Sequence, residues 1–366
     1  MINEKKIKKY LELEEKVIEK KITKKKAGLK LGFSGSRPDQ RLRYWVQKNI
    51  DDINYLRYEA LKEIDYIQHE VAVLATMSSG KSTVINALLG EDLLPNQNEA
   101  CTAKIFKIID NDKLKEYKVN ALYKKGQNRK INVIDLVALN NDNEVKEIII
   151  EGDFKGIKNK QIDNILHQIS LVDTPGPNNS LDSSHQEIAY ELMKNKNTDY
   201  LLYVLNATQI GINDDKRILI DILDYQNKFN KNINVLFILN KIDQIDIEKE
   251  DIFEIISNTE RYLKNIGFEE PKVIPISAYA SKIFKFGLEG KLKTRREKND
   301  FHFYYDLFER LKLSDLKPKK KKKAKKILIK NSEFCENEIL KRLYSTGLID
   351  LENELSSFLK NRIEKY

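Results

Sequence analysis

The chain has 366 residues and a formal net charge of +9, long enough to bury one large core or two smaller ones. Its four histidines, at positions 69, 167, 185 and 302, are scattered and never four apart, which argues against a histidine metal site. The two cysteines, Cys101 and Cys335, exclude a disulfide framework and fit a reducing compartment. No apolar leader opens the sequence, and no run approaches the roughly 20 apolar residues of a membrane span. A cytoplasmic protein is expected.

Residues 1–26 read as a charged amphipathic helix, with Ile7, Leu11, Val17, Ile18 and Ile22 as its stripe. A glycine-containing piece, 27–38, interrupts it. A second helical pattern runs from about Gln40 to His69, with Leu42, Trp45, Val46, Ile50, Ile53, Leu56, Ala60, Ile64 and Ile67 at three- and four-residue steps. Such a helix would be about 45 Å long. Its seam is too long for one globular core to cover, so residues 1–70 are expected to form a separate helical segment.

The apolar run 71–75 is a buried strand that breaks into the small-residue loop Met77-Ser78-Ser79-Gly80 before a helix opening on Lys81-Ser82-Thr83. Strand, loop and helix in that order form a phosphate cradle. Backbone N–H groups wrap the oxyanions, the helix turns its positive end toward them, and Lys81 adds a full charge. Ser82 offers a hydroxyl to Mg²⁺. Ala75 stands where this motif usually carries its first glycine. Thr102, at the end of a polar loop, is the candidate for a second Mg²⁺ contact and for holding an attacking water. Between 103 and 170 strands and one helix alternate, over 104–109, 117–123, 132–139 and 147–150, which widens the sheet.

Three further motifs each close an apolar strand. Asp173, in Asp173-Thr174-Pro175-Gly176, can hold Mg²⁺ through water, and the Gly176 N–H can meet a γ-phosphate. Asn240-Lys241-Ile242-Asp243 follows the run 235–239. Guanine presents two N–H donors on one edge, both of which the Asp243 carboxylate can accept. Adenine lacks them and would leave a buried charge unpaired. Lys241 would lay its methylene stem along the purine face, and Asn240 would tie the loops together. The backbone of Ser277-Ala278 can reach the guanine oxygen. Four motifs in register point to GTP as the nucleotide.

After Ser281 the periodicity weakens. Aromatics gather at Phe301, Phe303, Tyr304, Tyr305 and Phe308, and ten residues at 317–326 are almost all lysine. Residues 283–344 therefore read as a basic insertion before a closing helix over 347–360. The lysine run suits either a solvated loop or an anionic membrane surface. Nucleic acid has only charge in its favour.

Ser78-Ser79-Gly80-Lys81-Ser82-Thr83, Leu93-Leu94-Pro95 and Asp173-Thr174-Pro175-Gly176-Pro177 together resemble the dynamin superfamily of large GTPases, and bacterial dynamin-like proteins most closely. The resemblance covers about residues 40–282. It implies an α/β fold: a P-loop GTPase domain at 71–366 with an extended, mostly parallel sheet flanked by helices, and a neck-like α-helical segment at 1–70. It also implies GTP hydrolysis with Mg²⁺, with Ser78 and Thr102 positioning the water and Lys81 on the phosphates. A glutamine is common at the position of Met77. Dimerisation across the nucleotide, or pairing with a second dynamin-like chain, is implied too, as is membrane remodelling from a peripheral position at the inner membrane face. The alternative is a GTP-controlled switch that recruits a protein partner and hydrolyses slowly. No stalk follows the closing helix within these residues, so the resemblance implies a shortened chain or a partner that carries the missing helices. The closing helix, with Leu348, Leu351, Leu355, Phe358 and Leu359, is expected to share the seam of the second N-terminal helix.

Overall fold

Three apolar runs set the centre of the sheet. They lie in β1 (Tyr66–Ala75), β8 (Thr198–Asn206) and β9 (Asn234–Asn240), and their middle residues are buried on both faces, as strands covered by helices on two sides must be. The computed structural model describes residues 66–363 apart from Met77 and several short segments, of which 95–103, 132–135, 174–197 and 319–323 are the ones that bear on function. The helical segment expected before residue 66 lies outside the described residues.

The remaining strands are β2 (Ile105–Asp110), β3 (Lys118–Tyr123), β4 (Asn128–Ile131), β5 (Val145–Gly152), β6 (Lys160–Ile162), β7 (Ile165–Asp173) and β10 (Lys272–Pro275). The main path of the sheet is β10-β9-β8-β1-β7-β2-β5-β3-β4. From β10 to β1 every pairing is parallel. Beyond that, β2 pairs antiparallel with β7 and parallel with β5, and β3 pairs antiparallel with both its neighbours. The expected α/β architecture with a widened sheet is present, its core parallel and its extension mixed.

Strand alternation divides the core. Val71, Val73, Ala75, Leu202, Val204, Leu236 and Ile238 point to one face, where α1 (Lys81–Leu89), α5 (Ala278–Glu289), α6 (Arg295–Arg310), α7 (Glu336–Ser345) and α8 (Leu348–Ile363) supply the partners. Ala72, Leu74, Leu201, Tyr203, Leu205, Phe237 and Leu239 point to the other, beneath α3 (Asn213–Phe229) and α4 (Ile252–Ile266). A short α2 (Leu136–Asn141) overlaps the end of the third segment expected between 103 and 170, at 132–139.

Residues 66–69, expected as the end of a helix, belong instead to strand β1, which begins at Tyr66. Cross-strand partners explain the switch: Glu70 pairs with Lys107 at 2.5 Å, and His69 Nε2 lies 2.9 Å from His167 Nδ1. After Ser281 the structure is helical, where the sequence suggested weakening order. Helix α6 is nucleated by a capping box between Thr294 and Glu297 and buries only Phe301 and Phe308 of its aromatics. The others blur the period. The five apolar residues named for α8 are all buried in one core cluster; the N-terminal helix whose seam they are expected to share lies outside the described residues. A two-stranded hairpin, β11 (Lys326–Ile329) and β12 (Ser332–Cys335), follows the lysine run.

The histidine pair has a consequence for stability. Burial and the neighbouring His167 push His69 down from 6.5 to about 4. Between those values the unfolded chain binds a proton that the folded chain refuses, so stability falls as pH drops below 6.5. At pH 5 the loss should be roughly 2 kcal/mol. Urea unfolding at pH 7 and pH 5 checks this, with His69→Gln expected to remove most of the difference.

Candidate functional site

The motifs meet at the C-terminal edge of the parallel strands, where open α/β sheets bind their ligands. β1 ends into the loop 76–80, β9 ends at Asn240, and β10 leads to Ser277. In the first loop Ser79 is buried and its hydroxyl donates to the Thr76 carbonyl at 2.9 Å. Ser78 takes a left-handed φ of 60° and is exposed. Gly80, with φ 87°, caps α1, and a Cβ there would stand 2.5 Å from the Asn240 amide nitrogen. Only glycine satisfies both the backbone and the close approach.

Asn240 is the joint of the site. Its Nδ2 donates to the Ser79 carbonyl at 2.9 Å, and its Oδ1 accepts from the Ala278 N–H at 3.1 Å. One buried amide thus ties three motifs that are far apart in sequence. Lys241 has φ 66° and opens a 3-10 turn over Ile242–Gln244 that carries Asp243. Burial pushes the Asp243 carboxyl up, while hydrogen bonds from the Ser277 and Tyr304 hydroxyls and the charge of Lys241 pull it down. Gly80, Thr83, Asn240, Lys241, Asp243, Gln244, Tyr279, Arg296 and Tyr304 enclose a cleft of about 270 Å³.

At the phosphate end Lys81 forms a buried ion pair with Asp173 Oδ1. Asp173 is fully buried, which pushes its carboxyl up while Lys81 pulls it down. Its Oδ2 finds no hydrogen-bond partner among the described residues. Ser82 and Thr83, half-buried, stand on the first turn of α1. Thus Ser78, Ser79, Gly80, Lys81, Ser82, Thr83, Asp173, Asn240, Lys241, Asp243, Ser277 and Ala278 come together. Met77, Thr102 and Gly176 lie outside the described residues.

Two contributors escaped the sequence reading. Asn86 of α1, fully buried, accepts from the N–H groups of Leu93 and Leu94 and donates to the Leu94 carbonyl and to Asp92. It fixes the chain just before the Thr102 loop. A polar residue on an otherwise apolar helix face was the available signal. Tyr304 gives none, since it sits in an aromatic cluster more than 60 residues beyond Asp243.

The chain matches the Dynamin family over residues 71–242. It carries a dynamin-family domain. An uncharacterized protein from the xynA 3' region of Caldicellulosiruptor sp. (strain Rt8B.4) is 27% identical over 68% of this chain and 57% of its own length. A bacterial dynamin-like protein of Nostoc punctiforme is 24% identical over 59% of this chain and 31% of its own. The matches therefore span less than two thirds of either relative. A solved oligomerised bacterial dynamin pair, described as providing a mechanism for the long-range sensing and tethering of membranes, aligns at a TM-score of 0.45. That alignment has 20% identity and covers 96% of this chain and 48% of its own. The assignment rests on the sequence match.

Proposed function

We propose that the chain binds GTP with Mg²⁺ and hydrolyses it to GDP and phosphate, assembling as it does so. The observation that carries this reading is the pair of hydrogen bonds at Asn240, one donated to Ser79 and one accepted from Ala278, which tie the phosphate loop and the Ala278 backbone to the base-reading turn that lines the cleft. The α1 N-terminus and Lys81 suit the phosphates, and Asp243 suits the two donors of guanine.

A divalent ion fits the phosphate end. Asp173 offers a buried oxygen without a hydrogen-bond partner among the described residues, and the Ser82 hydroxyl stands on the adjoining helical turn. These two would hold Mg²⁺, with Thr102 as a third contact. The ion would offset charge on the phosphate oxygens as the terminal phosphoryl group leaves. Ser78, exposed at the crest of its loop, and Thr102 would place the water, and the Gly176 N–H would meet the γ-phosphate.

The reading extends to organisation. The neck-like helical segment would end where β1 begins at Tyr66, and the nucleotide domain would run from there to 366, with 283–344 inserted before α8. The partner would be a second copy facing the nucleotide or a second dynamin-like chain. The lysine run at 317–326 would meet an anionic membrane. Among the described residues no helix is long and apolar enough to cross a membrane.

GTP turnover per molecule, measured across protein concentrations with and without anionic liposomes, tests this. Turnover that rises with either supports an assembling GTPase. Flat, slow turnover with nucleotide-dependent capture of a partner would favour the switch.

A further inference from the structure

Helix α6 belongs to none of the four motifs, yet it closes the base end of the cleft. Arg296, Asp300 and Tyr304 are spaced by four and so stand above one another on one helix face. Arg296 and Tyr304 line the cleft together with Lys241 and Asp243. Asp300 accepts a 2.6 Å hydrogen bond from the Tyr279 hydroxyl, and Arg296 Nε lies 3.7 Å from the same carboxylate. The Tyr304 hydroxyl donates to Asp243 Oδ2 at 3.1 Å. Its ring meets Tyr279 at 67° with centroids 5.8 Å apart, and Phe308 packs behind it.

An ionised carboxylate accepts about four hydrogen bonds through its two oxygens. The Ser277 and Tyr304 hydroxyls and the backbone N–H of its own residue take part of that capacity on Asp243, and a guanine edge would share or displace what they hold. We propose that Tyr304 is a positioning residue for base recognition, holding the Asp243 carboxylate ionised and turned toward the purine, with α6 as an added wall of the pocket. This rests on the reading of the cleft as a guanine site.

The physical reason is that burial penalises the charged form of Asp243, and each donor aimed at it restores that form. The groups facing Asp243 are Lys241 on its own turn, Tyr279 on α5, and Tyr304 with Arg296 and Asp300 on α6. Burial and Asp243 push the Tyr304 hydroxyl far above the ordinary tyrosine range, so it remains a donor at every pH used below.

The experiment is a titration of wild type and Tyr304→Phe with fluorescent GDP from pH 5 to pH 8, with thermal melts of both. Tyr304→Phe should bind roughly tenfold more weakly at pH 7. It should also lose binding on acidification at a higher pH than wild type, because its Asp243 protonates sooner. Tyr304→His, which keeps a ring and a donor, should recover part of both effects. A uniform loss at every pH would mean a merely structural role and overturn the proposal. Tighter binding would mean that the hydroxyl competes with the base, and would overturn it too. Wild type that binds GDP, with a Tyr304→Phe variant that matches it, defeats the proposal alone. A wild type that binds no guanine nucleotide defeats the guanine reading and the proposal with it.

Discussion

Asp243→Asn should exchange guanine for xanthine preference. GDP affinity is expected to fall on the order of 100-fold or more, and xanthosine diphosphate should become the better ligand. The carboxylate lies in the cleft between Lys241 and Tyr304, and burial already disfavours its charge. Guanine's N1–H and 2-amino group return the hydrogen bonds that burial removed. An amide offers one acceptor and one donor in their place, so it meets guanine with a donor facing a donor. Xanthine carries an oxygen at position 2, which accepts from that amide. Competition of both diphosphates against a fluorescent nucleotide reads the switch directly. An unchanged preference would remove Asp243 from base recognition while leaving the phosphate end untouched.

The parts of this site that were legible in sequence are those carried by strand ends. Val71 to Ala75 and the run before Asn240 are buried on both faces, so they read as continuous apolar segments, and the residues that follow each must turn at the same edge of the sheet. The role of Asn240 was legible for the same reason: a short polar side chain at a strand end reaches only the neighbouring loops. Tyr304 was not legible, because its partner is set by how α6 crosses the cleft. No periodicity within residues 295–310 encodes that crossing. The start of α6 was available in principle, since Thr294 and Glu297 have capping-box spacing, but five aromatics nearby obscured its apolar stripe. The entry to β1 misled for a different reason. Ile64 and Ile67 continue a helical three-residue step, and only the long-range partners Lys107 and His167 decide for a strand. Antiparallel pairing of β2 with β7 likewise depends on contacts that a local pattern does not contain.

Lys81→Ala should abolish nucleotide binding and also destabilise the chain. Truncating one member of a buried, hydrogen-bonded charge pair typically costs 2 to 5 kcal/mol, so affinity for GTP should fall by roughly a hundredfold or more. The effect on the nucleotide-free chain follows from Asp173. Lys81 is its one charge partner among the described residues, its side chain is wholly buried, and one oxygen has no hydrogen bond among those residues. Removing the ammonium leaves a buried carboxylate that must either stay charged at a cost of about 3 kcal/mol or take up a proton. Lys81→Ala should therefore unfold at lower urea than wild type at pH 7, and the deficit should shrink at pH 5, where the lone carboxyl protonates more readily. Adding Asp173→Asn to Lys81→Ala removes the stranded charge, so the double variant should regain stability while still binding no GTP. A double-mutant cycle in urea, run beside a nucleotide titration, separates the two outcomes. Additive stability losses would show that Lys81 and Asp173 do not sense each other in the folded chain. Retained GTP binding in either Lys81 variant would show that the phosphates do not depend on this lysine.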